Sequence, residues 1–488
     1  MMANSSPYRL KDGGLRIGWA AEDITPDGPV SLYGQYYERI SEYVQSRLTV
    51  TACAIEKTTA GGRSEQAILV SMDVIYALKE MQDAVRTRLQ GAIPDIDLNK
   101  IFLNATHTHS APYPEVESRF GEILLNGICK VVVNAWENRK SAAVSTGFDY
   151  AVIGHNRRVM YADGNAEMYG DTEREDFLAI EGPTDPGIDL LFTWDLDKQL
   201  TGIWINVACP AQVTESKYYV SSDFWSEVRK NTAKRFGKDI FILPQCGAAG
   251  DIAPRDLTTR YRAGEPDMWD VPGIVEIGKR IDRVIQNVYP STLEKITSDV
   301  VFYHQVRQIR IPTRIVSDEE YRKALAVVNT IKAAEPADPY SPHTAWNRFL
   351  KEIKDNEKIK THGPWDSKTS DYGWLRPMEI VVQQYEDKHR PAYYEYELHV
   401  MRINDVALAT NSFELFVDYG FAITARNKAK QTFIVQFAGD SGGYLPTQRA
   451  LNGGGYSAMA NNIGPDGGKV LVEETIAMIN AMWDGDKH

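Results

Sequence analysis

The chain has 488 residues, 43% of them hydrophobic and 25% charged, with a formal net charge of -12. This composition supplies a large core and excludes a disordered or fibrous chain. The acidic balance argues against a nucleic-acid partner, which needs a basic face, and no run approaches the ~18 apolar residues of a membrane span.

The N-terminal segment MMANSSPYRLKDGG carries no apolar secretory pattern. Residues 48–57 and 66–75 are rich in branched and apolar side chains and are expected as strands. A helix is expected over 77–93, a strand over 100–106 and a helix over 118–138. Residues 201–209 and 239–246 are compact apolar runs, the pattern of strands buried on both faces. Residues 222–237 begin with Ser222 and Asp223, keep a helical period and stop at Gly237. This rhythm predicts an α/β layered fold. The stretch 312–395 differs. It opens on a capping box, Ser317 with Glu320, and continues through a lysine-rich, aromatic segment. A mostly helical insertion is expected there, either a lid over a site or a peripheral subdomain. Residues 398–413 return to a strand pattern, and 471–483 form an amphipathic closing helix. Cys53, Cys129, Cys209 and Cys246 are far apart and include no C-x-x-C, so no zinc knuckle or disulfide framework is indicated. A reducing cytoplasm is the simplest location.

Four segments carry chemistry. In NATHTHSAP (104–112), His107 and His109 stand two apart at the end of a strand. Residues i and i+2 of a strand share a face, which suits a metal or an acid–base pair; two surface histidines are the bland alternative. In PQCGAAGDIAPRD (244–256), a buried strand ends in small residues before Asp251, as in an oxyanion turn or a structural cap. Glu414 lies inside the apolar run SFELFVDYG, where a carboxylate is costly without a partner. The glycine-rich stretch 438–456 holds Tyr444 and Tyr456, which read equally as core tyrosines.

Taken together, these segments resemble the catalytic domain of the neutral (non-lysosomal) ceramidases. The matching stretches are THTHSAP (106–112), HNRR (155–158), CP with SSD (209–210 and 221–223), GDIAPR (250–255), FELF (413–416) and GGYLPTQ through GGGY, in the family's order, with DITP (23–26) and Gly34 upstream. The resemblance implies a ceramidase-like catalytic domain, a large mixed β-sheet core flanked by helices with 312–395 as an insertion; residues 1–488 are expected to be that single domain, departing from the family in having no C-terminal immunoglobulin-like domain. It implies zinc held by His107, Glu414 and Tyr444. The family's second zinc histidine falls at Cys209, which is either a thiolate ligand or an inert buried thiol with the metal absent. His109 and Arg157 match residues that contact the substrate's polar head. Arg158, Tyr456 and Gly34 are further expected substrate contacts, and Gln212 is a polar alternative near the Cys209 position.

The family's nucleophilic serine is replaced by Ala253, so no acyl-enzyme can form there. Two activities follow. One is a hydrolase of this superfamily in which a metal-bound water attacks a small polar, possibly sugar-derived substrate, with His109 as acid–base and Arg157 as orienter. The other is a glycoside hydrolase or lyase in which His109, Tyr444, Glu414 and Asp251 share the acid–base work. A non-catalytic relative is a third reading, opposed by the number of retained polar groups.

Overall fold

The computed structural model describes residues 9–58, 62, 64–93, 95–259, 268–355, 371–459 and 461–484. Two β-sheets lie face to face between layers of helices. The larger is built from β1 (Leu15–Asp23), β2 (Thr49–Thr58), β3 (Ser64–Met72), β4 (Ile101–Ala105), β5 (Lys140–Tyr150), β6 (Gly187–Asp195), β7 (Leu200–Val207) and β8 (Phe241–Cys246). Its eight strands run β8-β7-β6-β5-β1-β2-β3-β4. The central pairs are antiparallel, while β3 with β4 and β7 with β8 are parallel, so the sheet is mixed. The smaller sheet has four strands in the order β9-β10-β11-β12, namely Phe302–Pro312, Tyr393–Ile403, Val406–Thr410 and Gln431–Val435.

Period-two alternation sets the layers. Leu15, Ile17 and Trp19 of β1 point to one face and meet Met401, Leu408 and Phe433 of the second sheet. The opposite face of the large sheet is covered by α1 (Lys79–Leu89) and α2 (Arg119–Glu137) at one end, and by α3 (Phe224–Phe236) and α4 (Val271–Leu293) at the other. Gly18 lets α2 sit close: a Cβ there would stand 2.0 Å from the Ala135 carbonyl oxygen. The outer face of the small sheet is covered by α8 (Val417–Arg426) and α9 (Pro465–Asp484).

Between β9 and β10 lie α5 (Asp318–Ala333), α6 (Ala345–Asp355) and α7 (Asp371–Glu386). Ser317 and Glu320 form the capping box at the head of α5. The Phe349 ring of α6 meets Tyr37 at 6.4 Å, which brings this helical segment beside the loop that carries Tyr33 and Tyr36. Most of the lysine-rich aromatic stretch, residues 356–370, lies outside the described residues. The run expected as strand over 398–413 is two antiparallel strands. A turn at Asn404, with φ 52°, separates β10 from β11, because Asn tolerates the left-handed conformation that ends a strand. Among the described residues no helix is long and apolar enough to cross a membrane.

Candidate active site

The site forms where several strand ends open at one edge of the stacked sheets. After β4 the chain does not stay extended. His107 has φ 63°, a left-handed conformation that costs on the order of 1 kcal/mol for a residue with a Cβ. The two imidazoles therefore meet through this turn, not through strand periodicity as their spacing suggested. The Phe437 ring stacks on His107 at 4.0 Å and 6°, and the Ala105 amide donates to the Phe437 carbonyl. These contacts hold the strained turn in place.

A cavity of about 230 Å³ opens there, walled by His107, His109, Arg157, Glu215, Glu414 and Tyr444 together with Tyr76, Tyr169, Gln212 and Tyr456. Glu414 and Tyr444 sit side by side because Phe413–Leu415 pairs in parallel with Gly443–Leu445, with Glu414 opposite Tyr444. Gly34 also lines the cavity. Its φ is +109°, and a Cβ there would stand 2.4 Å from His109 Nδ1. Gly34→Ala is therefore expected to push the His109 ring aside and lower kcat/KM by about 10²-fold, the scale for misplacing a reacting group by about 1 Å. Steady-state kinetics with a circular-dichroism control checks it; wild-type kcat/KM in the variant would contradict it.

Hydrogen bonds link these groups into two arms joined at Arg157. Its Nη1 donates to the Tyr169 hydroxyl at 2.7 Å, which donates to Glu215 Oε1 at 2.9 Å. The Gln212 amide reaches Glu215 Oε2 at 3.3 Å and His109 Nε2 at 2.7 Å. On the other side, Arg157 Nη2 donates to the Tyr444 hydroxyl at 3.4 Å and to the Gly250 carbonyl at 3.2 Å, and the Tyr444 and Tyr456 hydroxyls are 3.0 Å apart. Tyr76 donates to Glu414 Oε1 at 3.1 Å.

The protonation pattern follows. His107 donates its Nδ1–H to the Ile75 carbonyl at 2.9 Å, which leaves a lone pair on Nε2. His109 Nε2 lies 3.2 Å from that Nε2, so within the pair His109 Nε2–H donates and His107 Nε2 accepts, and the same His109 nitrogen is 2.7 Å from the Gln212 side-chain amide. Burial holds both rings neutral: His107 is lowered to about 3, and burial and the charges of its neighbours hold His109 well below the usual histidine range. Burial pushes Glu215 up to about 7, against the opposing pull of Arg157 and the Tyr169 hydrogen bond. Burial likewise raises Glu414, opposed by Arg157 and by hydrogen bonds from Tyr444 and Tyr76.

Three expected site residues do not reach the cavity. Asp251 is a structural anchor: Oδ1 accepts the Val417 amide at the head of α8 at 2.9 Å, and Oδ2 accepts from Asn156 at 2.6 Å. Held on those donors, its carboxylate lies outside the cavity lining. Arg158 is closed on Glu181 at 2.6 and 2.9 Å, with further bonds to the Ser457 hydroxyl and the Ala450 and Gly454 carbonyls. It braces the segment bearing Tyr456 instead of presenting a fork to a ligand. Cys209 turns its Sγ to the Ile153 and Pro210 carbonyls at 3.6 and 3.5 Å. Ala253 is buried in a short strand opposite His155, outside the cavity wall.

The zinc expectation can be tested on this donor set. Zinc takes four converging donors, with cysteine as thiolate. Cys209 turns its Sγ to two backbone carbonyls and does not line the cavity that His107, Glu414 and Tyr444 share. Among the described residues no three His, Cys, Asp or Glu side chains converge closely enough to hold a metal. The set His107, Cys209, Glu414 and Tyr444 does not fit zinc.

Tyr76, Tyr169 and Glu215 carry no mark in the sequence that points to a site. Glu215 lies in the bland run AQVTES, three residues after Gln212, and only the turn between Cys209 and Asp223 aims it inward.

No family model matches the chain. It is 26% identical over 236 residues to the neutral ceramidase of Pseudomonas aeruginosa, a match that spans 46% of this chain and 34% of that protein. The crystal structure of neutral ceramidase from Pseudomonas aeruginosa superposes with a TM-score of 0.66 at 16% identity, over 97% of this chain and 75% of that one. A ceramidase complexed with C2 gives a TM-score of 0.67 at 16% identity, over 97% and 76%. The chain therefore has the fold of the neutral ceramidases and matches about a third of the length of one of them in sequence.

Proposed function

We propose that the chain is a hydrolase that acts on a small, polar, sugar-derived substrate through acid–base chemistry of its own side chains. The observation that carries this reading is the cavity of about 230 Å³ in which two imidazoles, their Nε2 atoms 3.2 Å apart, share the lining with Glu215 and Arg157. His107 and His109 hold the attacking water by hydrogen bonds, and Glu414 in its ionised form takes the water's proton. Glu215 delivers a proton to the leaving group, so that H and OH add across the bond that breaks. Arg157, Tyr444 and Tyr456 orient the polar substrate and offset charge that develops on it. A two-tailed lipid does not suit this wall, whose aliphatic members are Ile75 and Met168.

Two carboxyl groups in the lining, Glu215 and Glu414, also favour a second reading, glycoside hydrolysis or a lyase reaction. Hydrolysis in H2¹⁸O labels the product, whereas elimination does not.

The test is a substrate panel of polar N-acyl compounds, esters, aryl glycosides and uronate oligosaccharides, with long-chain ceramide alongside, before and after dialysis against a chelator. Turnover of a polar substrate at a rate untouched by the chelator is expected. Ceramide as the sole substrate, or activity lost on chelation and restored by zinc, would overturn the reading.

A further inference from the structure

The cavity is small. At about 230 Å³ it falls below the ~300–1,000 Å³ typical of sites that enclose a drug-sized ligand. It has room for one monosaccharide-sized unit. What lies outside the mouth then decides whether the natural substrate is one unit or the end of a longer chain.

The mouth is aromatic and braced. Tyr33 and Tyr36 line it while remaining 45% and 38% exposed. The Tyr33 ring tilts against Tyr113, 36% exposed, with centroids 4.5 Å apart at 45°. Tyr36 meets Tyr456 of the cavity wall edge-on at 6.3 Å. The backbone beneath is tied down: the Tyr33 amide donates to the Ala111 carbonyl at 3.0 Å. Arg39 is fully buried, and its Nη2 donates to the Tyr33 carbonyl at 2.9 Å and to the His109 carbonyl at 2.6 Å. One guanidinium thus locks the rim to the histidine segment. Large apolar faces held on the surface by a rigid backbone mark a contact site.

We propose that the Tyr33–Tyr113 rim is a second subsite, which stacks the sugar unit adjoining the one held in the cavity, so that the substrate is the end of a glycan chain. Sugar rings present flat C–H faces to aromatic rings and hydroxyls to phenols, a match to tyrosine that an acyl chain lacks. Six of the sixteen residues that line the cavity and its mouth are tyrosines, and Ile75 and Met168 are its only aliphatics besides Gly34. A lipid tail would call for the reverse. This inference rests on the proposed reading of a sugar-derived substrate.

The test uses a glycan array of mono- to tetrasaccharides with neutral and uronate ends, with N-acyl lipid micelles in parallel. Titration calorimetry of the tightest glycan then compares the intact protein with Tyr33→Ala, Tyr113→Ala and Tyr33→Phe. Binding is expected to tighten by roughly three- to tenfold from one unit to two, and to lose that gain in both alanine variants but not in Tyr33→Phe. Equal affinity for one and two units, no effect of either alanine variant, no glycan binding at all, or binding of micelles alone would each overturn the subsite. Turnover of a small polar amide or ester without glycan binding would sink the subsite and leave the hydrolase standing. A protein that binds chain ends by this rim but turns over nothing would keep the subsite and sink the hydrolase.

Discussion

Glu215→Gln is expected to lower kcat/KM by about 10²- to 10⁴-fold, the usual worth of a general acid or base. The physical reason is the cost of keeping a carboxyl in this wall. Burial pushes Glu215 up to about 7, so near neutral pH the group holds a proton that it can still release. Its Oε1 is taken by the Tyr169 hydroxyl. Its Oε2 accepts from Gln212 at 3.3 Å and Gln35 at 3.5 Å and lies 3.7 Å from His109 Nδ1. The sign for activity follows. A raised carboxyl is protonated below about 7 and ionised above it, so an acid-dependent kcat/KM falls as pH rises through 7. Glutamine has no such proton, and its residual activity is expected to lack that limb. The histidines do not mimic the effect, because they stay neutral well below the usual range. A pH–rate profile of both proteins, with melting curves to confirm folding, checks the prediction. An unchanged limb near pH 7 in Glu215→Gln would assign it to another group.

Arg158→Ala is expected to destabilise the fold by about 3–5 kcal/mol, the range for removing one partner of a buried ion pair. The Arg158 and Glu181 side chains are 0% and 1% exposed, and the contact is bidentate. Alanine leaves the Glu181 carboxylate without its counter-ion and frees the Ala450 and Gly454 carbonyls that the guanidinium satisfied. Those bonds hold the backbone just ahead of Tyr456, so loosened substrate binding should accompany the loss of stability. The double replacement Arg158→Met with Glu181→Leu is expected to cost less than Arg158→Ala alone, because no buried charge is left unpaired. Denaturant titration of the three proteins decides. A loss under about 1 kcal/mol for Arg158→Ala would place the pair among ordinary surface contacts.

Much of the framework was legible in the chain. The apolar runs at 48–57, 201–209 and 239–246 became β2, β7 and β8, because branched residues buried on both faces leave little other choice. The Asp223 start and Gly237 stop bracket α3 for the same local reason. His107, His109, Arg157, Glu414, Tyr444 and Tyr456 line one cavity. Sequence order and resemblance could nominate them, because each lies at the end of a recognisable strand or turn. Arg157 and Arg158 could not be told apart, since adjacent residues of an extended segment face opposite ways. One turned to the cavity and the other to Glu181.

By itself, then, the sequence determined the strands within 48–57, 66–75, 100–106, 201–209 and 239–246, the helices near 77–93, 118–138 and 222–237, and the α/β class, since local pattern needs no partner. Only the tertiary structure decided that Glu215, Tyr169 and Tyr76 stand in the wall, that Cys209 and Asp251 turn away from it, and that two imidazole nitrogens face each other 3.2 Å apart. The reason is direction. A side chain's chemistry is written in its name, but its aim is set by backbone turns and by partners more than a hundred residues away, as between Arg157 and Tyr444.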